Sequence, residues 1–544
     1  MQSRPRRPPA HRREPKLGFS AVIVVLALLT AAVWAWRSEG FGLYGPGDAS
    51  APGIGASAPG GSIGAGSPRA SSPSVHASPT SAGASEAAPT APAPGPINTK
   101  YPGLTTFRGN ATRDYYGAGP VPTRPVLRWR APRSGGYCGT SSNLGVTKVW
   151  CGTGWTGQPN VIQHPNRSIE VREGAYDGHY HFLNGRTGEP YRPDLVTGDL
   201  AKGSATSDAD GYPLYYAGSR DDRFRIVALD RKGGRPTVLW SYDARSNPHM
   251  LWNDDWDGAA LQVGDYLMEG CENSWFYIWK LNRRYDADGL VQVDPKLKML
   301  VPGYDGRLLH DLGDEDVSIE NSVAYDANRG VVYFANSGGL VQGWNVEDIL
   351  HGGSHYERVF RFWDGDETDA SIVIGSDGSL YVGRHASFNV PTRPQVRDQE
   401  VGSLMKLDPR KPNDPVVWSV QLGGFEPDGG VLGTPALYQG IVYATWTEGG
   451  VAAIDAETGH VLWKESLPGP IWSSPVPIDD RLIVADGGGG LNCFDIAGPR
   501  AEPKLLWHLQ LSDGTIESTP AVWHGWIYVG SRDGGIYGVA DRSS

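Results

Sequence analysis

A four-strand pattern recurs eight times between residues 100 and 544, and its last copy is one strand short. The clearest copy opens at Thr434-Pro435-Ala436-Leu437 and continues through Ile441-Val442-Tyr443-Ala444 and Gly450-Val451-Ala452-Ala453-Ile454-Asp455. It turns at Thr458-Gly459 and ends at Val461-Leu462-Trp463. The next runs from Ser474-Pro475-Val476 to Leu505-Leu506-Trp507. The final copy opens at Thr519-Pro520-Ala521-Val522, passes Ile527-Tyr528-Val529-Gly530 and Asp533-Gly534-Gly535-Ile536-Tyr537, and stops. Looser copies precede these, with outer-strand signatures at Val238-Leu239-Trp240, Arg361-Phe362-Trp363 and Val416-Val417-Trp418. Short β-rich runs between Gly- and Asp-rich turns read as strands of small antiparallel sheets. One such sheet cannot bury its own faces, so stacked copies must share a core.

The strand missing from the last copy has a counterpart near the start. Pro125-Val126-Leu127-Arg128-Trp129-Arg130 has the form of an outer strand with no sheet of its own. Joining the two chain ends in one sheet closes the ring and removes free edges. The expected fold is therefore all-β: an eight-bladed β-propeller of four-stranded blades over residues 100–544. Nineteen Trp, 24 Tyr and 73 Gly suit many short strands joined by tight turns.

These units, with their strand, Gly, Asp-Gly, strand, Thr-Gly and Trp order, resemble the PQQ-like (pyrroloquinoline-quinone-type) repeat. The opening Phe107-Arg108-Gly109-Asn110, followed by Gly119-Pro120-Val121-Pro122, is similar to the lead-in of bacterial members. The resemblance implies two functional classes, quinoprotein alcohol dehydrogenases and non-enzymatic scaffold propellers of outer-membrane assembly. It also implies that the repeat Trp residues pack between blades and do not ligate a cofactor.

Ahead of the repeats the composition changes twice. Residues 1–16 carry six basic side chains against Glu14, and Leu17 to Trp36 then runs for 20 residues without a charge. That length spans a bilayer. The basic flank marks the cytoplasmic side, which places the bulk of the chain outside. The expectation is a cytoplasmic tail (1–16), a transmembrane anchor (17–36) and partnership with the membrane through that helix. A cleaved signal peptide ending near Val33-Trp34-Ala35 is the rival. Residues 37–99 are dominated by Gly, Ala, Ser and Pro and read as a disordered linker, with a coil span of roughly 40–45 Å.

The whole chain has net charge −11. Residues 1–36 hold +5 and the linker −1, so the repeats carry −15. A domain this acidic argues against a nucleic-acid partner and favours cations or neutral partners. Several motifs are coincidental. Gly152-Thr153-Gly154-Trp155-Thr156-Gly157 matches a dinucleotide fingerprint, but Gln158-Pro159-Asn160-Val161 follows where a helix is needed. Gly60-Gly61-Ser62-Ile63-Gly64 lies in the linker without flanking strand or helix. His179 and His181 share a strand face with no third ligand nearby, and read as packing residues. Cys138 and Cys151 either pair or stay as loop thiols, whereas Cys271 and Cys493 read as small buried hydrophobes.

Aligning the start of each innermost strand produces one informative column. Around the ring it reads Thr156, Lys202, Asp257, Glu320, Asp369, Leu432, Trp472 and Glu517. The next position is small on nearly every blade, with Asn321 the largest side chain. Acidic residues crowd just upstream, among them Asp254, Asp255, Asp314, Glu315, Asp316, Asp366 and Glu367. Turns favour Asp, so solvated loop charge accounts for part of this. Carboxylates around an axis also bind a hard cation or raise one another's pKa. The candidate ligand site is Lys202, Asp257, Glu320, Asn321, Asp369 and Glu517, with Asp257, Glu320 and Asp369 as candidate metal ligands and Ca2+ as the candidate ion.

Three functions remain open on the sequence. The first is an extracytoplasmic propeller that binds a small-molecule or protein partner without catalysis. The second is a PQQ-dependent dehydrogenase; Glu320 and Asn321 are of suitable type for its Ca2+, but no adjacent Cys-Cys pair is present, which disfavours PQQ. The third is a carboxylate-based enzyme acting on carbohydrate.

Overall fold

In the computed structural model, residues 102–543 are described apart from 144–145, 388–395, 427 and 499. The tail, anchor and linker expected over residues 1–99 lie outside the described residues. Among the described residues no helix is long and apolar enough to cross a membrane.

Each repeat folds into one antiparallel sheet, and eight such sheets make the ring. In blade 1 the strands are Asn160–Gln163, Ile169–Ala175, His179–Asn184 and Leu195–Val196. Blade 2 comprises Thr206–Ser207, Leu214–Ala217, Arg223–Ala228 and Thr237–Asp243. Blade 3 comprises Leu261–Val263, Tyr266–Cys271, Trp275–Lys280 and Lys296–Pro302. Blade 4 uses Ala324–Asp326, Val331–Phe334, Leu340–Asn345 and Glu357–Trp363, and blade 5 Val373–Ile374, Leu380–Gly383, Leu404–Leu407 and Val416–Val420. Blades 6 and 7 begin at Ala436–Tyr438 and Val476–Ile478. Blade 8 takes Ala521–Trp523, Trp526–Gly530 and Ile536–Asp541 from the C-terminus and Pro125–Ala131 from the N-terminal side. The closing pair is in register at Val126 with Ala540 and Trp129 with Gly538. The expected eight-bladed ring, closed in this way, is what the chain forms.

The core is a set of seams between neighbouring blades, and the repeat signature builds them. The Trp129 indole of blade 8 donates to Gly185 O of blade 1 at 2.9 Å, and Trp418 of blade 5 donates to Ala456 O of blade 6 at 3.1 Å. Each ring lies on the Thr-Gly turn of the next blade. At Gly188 and Gly459 the backbone has φ of +70° and +74°, and a Cβ there would sit 2.7 Å from the Trp129 or Trp418 ring. The Trp and the Thr-Gly are therefore two halves of one joint: only glycine both adopts the turn and lets the indole approach. The two remaining cysteines, Cys271 and Cys493, are free and fully buried within blades 3 and 7.

A feature not anticipated from the repeats is the path of residues 102–118. This segment makes a lap inside the ring, touching the inner strands in turn. Gly103 pairs with Ile162 of blade 1, Thr105 O accepts from Ser207 N of blade 2, and Ala111 O and Thr112 O accept from Tyr325 N and Ile374 N of blades 4 and 5. The Tyr116 hydroxyl donates to Leu437 O of blade 6, and Gly117–Ala118 lies parallel to Val522–Trp523 of blade 8. Two fully buried arginines hold the lap. Arg113 donates to Val323 O at 2.6 and 2.9 Å, to Phe107 O at 2.7 Å and to Ala259 O at 3.1 Å. Arg108 donates to Thr434 O at 2.8 Å and lies 4.9 Å over the Tyr116 ring. Burial lowers both guanidinium groups, Arg113 to about 9 and Arg108 to about 10. Four backbone carbonyls thus converge on two cations, and the chain's own N-terminal segment occupies the ring interior along the inner strands.

Between the closing strand and blade 1 stands a two-stranded hairpin, Cys138–Asn143 with Val146–Cys151. Cys138 and Cys151 face each other in register and form a disulfide, which resolves the choice between a pair and two thiols.

Candidate functional site

The column residues stand just ahead of the inner strands, two or three residues before the Ala259, Val323 and Thr434 carbonyls that the lap's arginines engage. There the ring is divided into a polar arc and an apolar wall. On the apolar side, Trp155 meets Trp472 edge to face, with centroids 5.4 Å apart, and both pack with Leu432, Tyr176 and Leu200. Trp155 belongs to blade 1, Trp472 to blade 7 and Leu432 to blade 6, so aromatic side chains reach across the start of blade 8.

The polar arc begins at Lys202. Its ammonium is gripped by Asp257 at 2.6 Å, Glu272 at 2.9 Å and Asp255 at 3.1 Å. Arg220 reaches Asp255 at 3.4 Å, and Asn253 donates to Glu272 at 2.7 Å. Burial alone would lower the Lys202 pKa, but Asp257, Glu272 and Asp255 outweigh it and hold the ammonium well above its usual range. Burial, with Glu272 and Asp255 close by, pushes Asp257 well up despite Lys202. Glu272 is driven the other way, to about 2, because Lys202 and the Asp257 hydrogen bond overcome its burial. Asp257 and Glu272 are thus pushed in opposite directions around one ammonium. Lys202 and Arg220 are the two cations that face these three carboxylates.

The arc continues with Glu320 and Asp369 on blades 4 and 5. Glu320 accepts from Ser318 Oγ at 2.8 Å. Burial first, then Asp369, Glu272 and Asp257, raise Glu320 well above the carboxylate range. Asp369 accepts from Ser337 Oγ at 3.3 Å and meets His385 Nε2 at 3.2 Å. Burial would lower His385, but the Asp369 hydrogen bond and Glu367 raise it to about 9. Asp428, on the neighbouring loop, is raised to about 7 by burial against the pull of His385. Glu320 and Asp369 keep partial exposure, whereas Glu367 and His385 are buried.

Lys202, Asp257, Glu320 and Asp369 thus form one electrostatically connected arc. The other two column candidates are placed differently. Glu517 pairs with Arg532 at 3.6 Å and accepts from Thr515. Asn321 donates to Ala335 O at 2.9 Å and Thr368 O at 3.1 Å, bridging blades 4 and 5. Among the described residues, the donor atoms that converge within 4.8 Å are those of Asp255, Asp257 and Glu272, and those of Glu367, Asp369 and His385. Glu320 belongs to neither trio but lies beside the second. Glu272, His385 and Arg220 escape the column because they sit at the end of the second strand; reading that position around the ring as a second column would find them.

His181, read as a packing residue, is one. It lies between Asp177 and Asp194, each at 3.1 Å, under a stacked Tyr137 ring 3.8 Å away. It braces the base of the disulfide hairpin.

A family described as outer membrane protein assembly factor BamB matches residues 400–540. Over 122 residues the chain is 32% identical to lupanine 17-hydroxylase (cytochrome c) of Pseudomonas sp, which is 22% of this chain and 16% of that one. Over 88 residues it is 27% identical to the outer membrane protein assembly factor BamB of Shewanella oneidensis, or 16% of this chain and 22% of the relative. The matches therefore span less than a quarter of either relative. Among solved structures, Sqt1 of Saccharomyces cerevisiae superimposes with a TM-score of 0.48 at 9% identity, over 68% of this chain and 92% of that one.

The quinone implied by the resemblance is a planar tricarboxylate, and the residues at this end of the ring do not suit it. Carboxylates line the arc it would face. The Asn321 amide is engaged by Ala335 and Thr368. The bonded cysteines close a hairpin and lie 13 residues apart in sequence, not next to each other along the chain.

Proposed function

We propose that this propeller, whose residues 400–540 match a family of PQQ-like repeats, is a non-catalytic binding propeller, tethered to the membrane by Leu17–Trp36 with its repeats outside the cytoplasm. Its acidic arc receives a positively charged group of a ligand or protein partner. The observation that carries this reading is Lys202: the same mouth already seats one ammonium among three carboxylates within 3.1 Å. Glu320 and Asp369 extend that surface on the next blades and remain partly exposed. Residues 102–118 occupy the ring interior along the inner strands, which leaves the mouth lined by the arc for a ligand. The similarity to an assembly factor supports a partner-binding role.

Calorimetry on the full chain in detergent, titrated with spermidine and with a short oligolysine, tests the reading. Binding should weaken as salt rises and fall at least tenfold in a Glu320→Gln/Asp369→Asn variant. Binding indifferent to both changes would refute the assignment of the arc. Dye-linked oxidation of alcohols or sugars after adding the quinone and Ca2+ would refute the non-catalytic reading.

A further inference from the structure

The propeller repeats its mouth on every blade, so equivalent positions can be compared within one molecule. The strand registers align Leu261 with Met268 in blade 3 and Val373 with Tyr381 in blade 5. On that alignment Asp255, Asp257 and Glu272 of blade 3 correspond to Glu367, Asp369 and His385 of blade 5. The two trios identified by converging donor atoms are therefore one seat, built twice.

The seats differ in what the preceding blade supplies. Blade 2 presents Lys202 and Arg220 to the blade 3 seat, and their cationic groups lie 2.6–3.4 Å from its carboxylates. The corresponding residues of blade 4, by the pairing of Ala324 with Tyr333, are Glu320 and Ser337. Ser337 donates to Asp369, the counterpart of Asp257, whereas Arg220 meets Asp255, the counterpart of Glu367. Glu320 stands where Lys202 stands. One seat thus receives two cations from its neighbour, and the other receives a carboxylate and a hydroxyl. The blade 3 seat shows that this geometry closes around a positive centre, and the blade 5 seat has the same geometry with an additional anionic donor in place of the centre.

We infer that the blade 5 seat, formed by Glu320, Glu367, Asp369 and His385, binds one divalent first-row transition-metal ion such as Zn2+ or Mn2+. The class follows from the donors. One imidazole nitrogen with two or three carboxylates suits these ions, whereas Ca2+ prefers a shell made wholly of oxygen. The imidazolium proton of His385 leaves on binding, since the ligand is the neutral ring. This inference rests on the reading of the arc as the binding site, and it specifies the positively charged group that the blade 5 portion takes.

The test uses the full chain in detergent, stripped with chelator and titrated with Zn2+, Mn2+ or Ca2+ alone. One Zn2+ or Mn2+ per chain is expected, with Ca2+ at least tenfold weaker. Glu320→Lys copies the blade 2 arrangement and should abolish that site while keeping the far-ultraviolet dichroism and melting of the parent. His385→Gln and the milder Glu320→Gln should each weaken it at least tenfold, and Glu517→Gln, beside Arg532, should leave it unchanged. The absence of a stoichiometric ion in the parent chain would overturn the inference, as would undiminished binding in Glu320→Lys. If spermidine binds in the salt-dependent manner expected above but no metal does, the metal inference falls and the broader reading of the mouth stands. If neither binds, both fall.

Discussion

Replacing Lys202 with Met removes the ammonium at the centre of Asp255, Asp257 and Glu272 and keeps most of the apolar stem. Only 17% of the Lys202 side chain is exposed, and each of its three partners is 5% exposed or less. Removing one partner from a buried ionic group costs about 3–5 kcal/mol, chiefly because the remaining charges are left uncompensated. The loss should depend on pH with a definite sign. Without Lys202, burial and mutual repulsion raise the folded pKa of these carboxylates above their unfolded values. Groups of that kind stabilise the fold below the unfolded pKa, and this contribution is lost as pH rises through the folded one. Asp255 is already raised to about 6 with Lys202 in place. The deficit should therefore be small near pH 4–5 and approach the full value by pH 8. For about 440 ordered residues the unfolding entropy is roughly 0.9 kcal/mol per degree, so the melting temperature should fall about 3–6 °C at pH 8. Parallel melts of parent and Lys202→Met from pH 4.5 to 8 measure this. An equal deficit at both ends of the range would mean that lost packing, not uncompensated charge, sets the cost.

Removing residues 1–99 should leave a monodisperse β-rich protein, whereas removing 1–135 should not, because both the inner lap and the closing strand are lost; gel filtration with circular dichroism compares the two. Gly459→Ala should destabilise by about 1–3 kcal/mol, since its Cβ meets the Trp418 ring at a φ of +74°; equal stability in denaturant would break the proposed joint. His181 is raised to about 9 by its Asp177 and Asp194 hydrogen bonds, which outweigh its burial. Its contribution is complete below the ordinary histidine range and fades as pH rises through 9, so His181→Gln should cost about 2–3 kcal/mol at pH 6 and clearly less at pH 10.

The blades, their number and the closing strand were legible because each rests on local chemistry repeated in order. Strand runs, turn residues and the Trp at the outer strand recur at fixed offsets, and a strand missing at one terminus matches a spare one at the other. Lys202, Asp257, Glu320 and Asp369 were legible for the same reason, since a shared offset from the inner strand places them around one mouth. A shared offset does not set where a side chain turns. Asn321 occupies an inner-strand position yet spends its amide between blades 4 and 5, and Glu517 turns to Arg532.

The sequence by itself determined an all-β ring of eight blades, because periodic short-range preferences leave a chain of this length few other ways to bury its sheets. Tertiary structure alone decided which charges share a seat. Lys202 and Glu272 are 70 residues apart and meet at 2.9 Å only because adjacent blades bring a column residue and a second-strand end together. It likewise decided that residues 102–118 enter the ring, since their partners are backbone carbonyls and amides of seven blades, and backbone groups carry no residue-specific signal in a sequence.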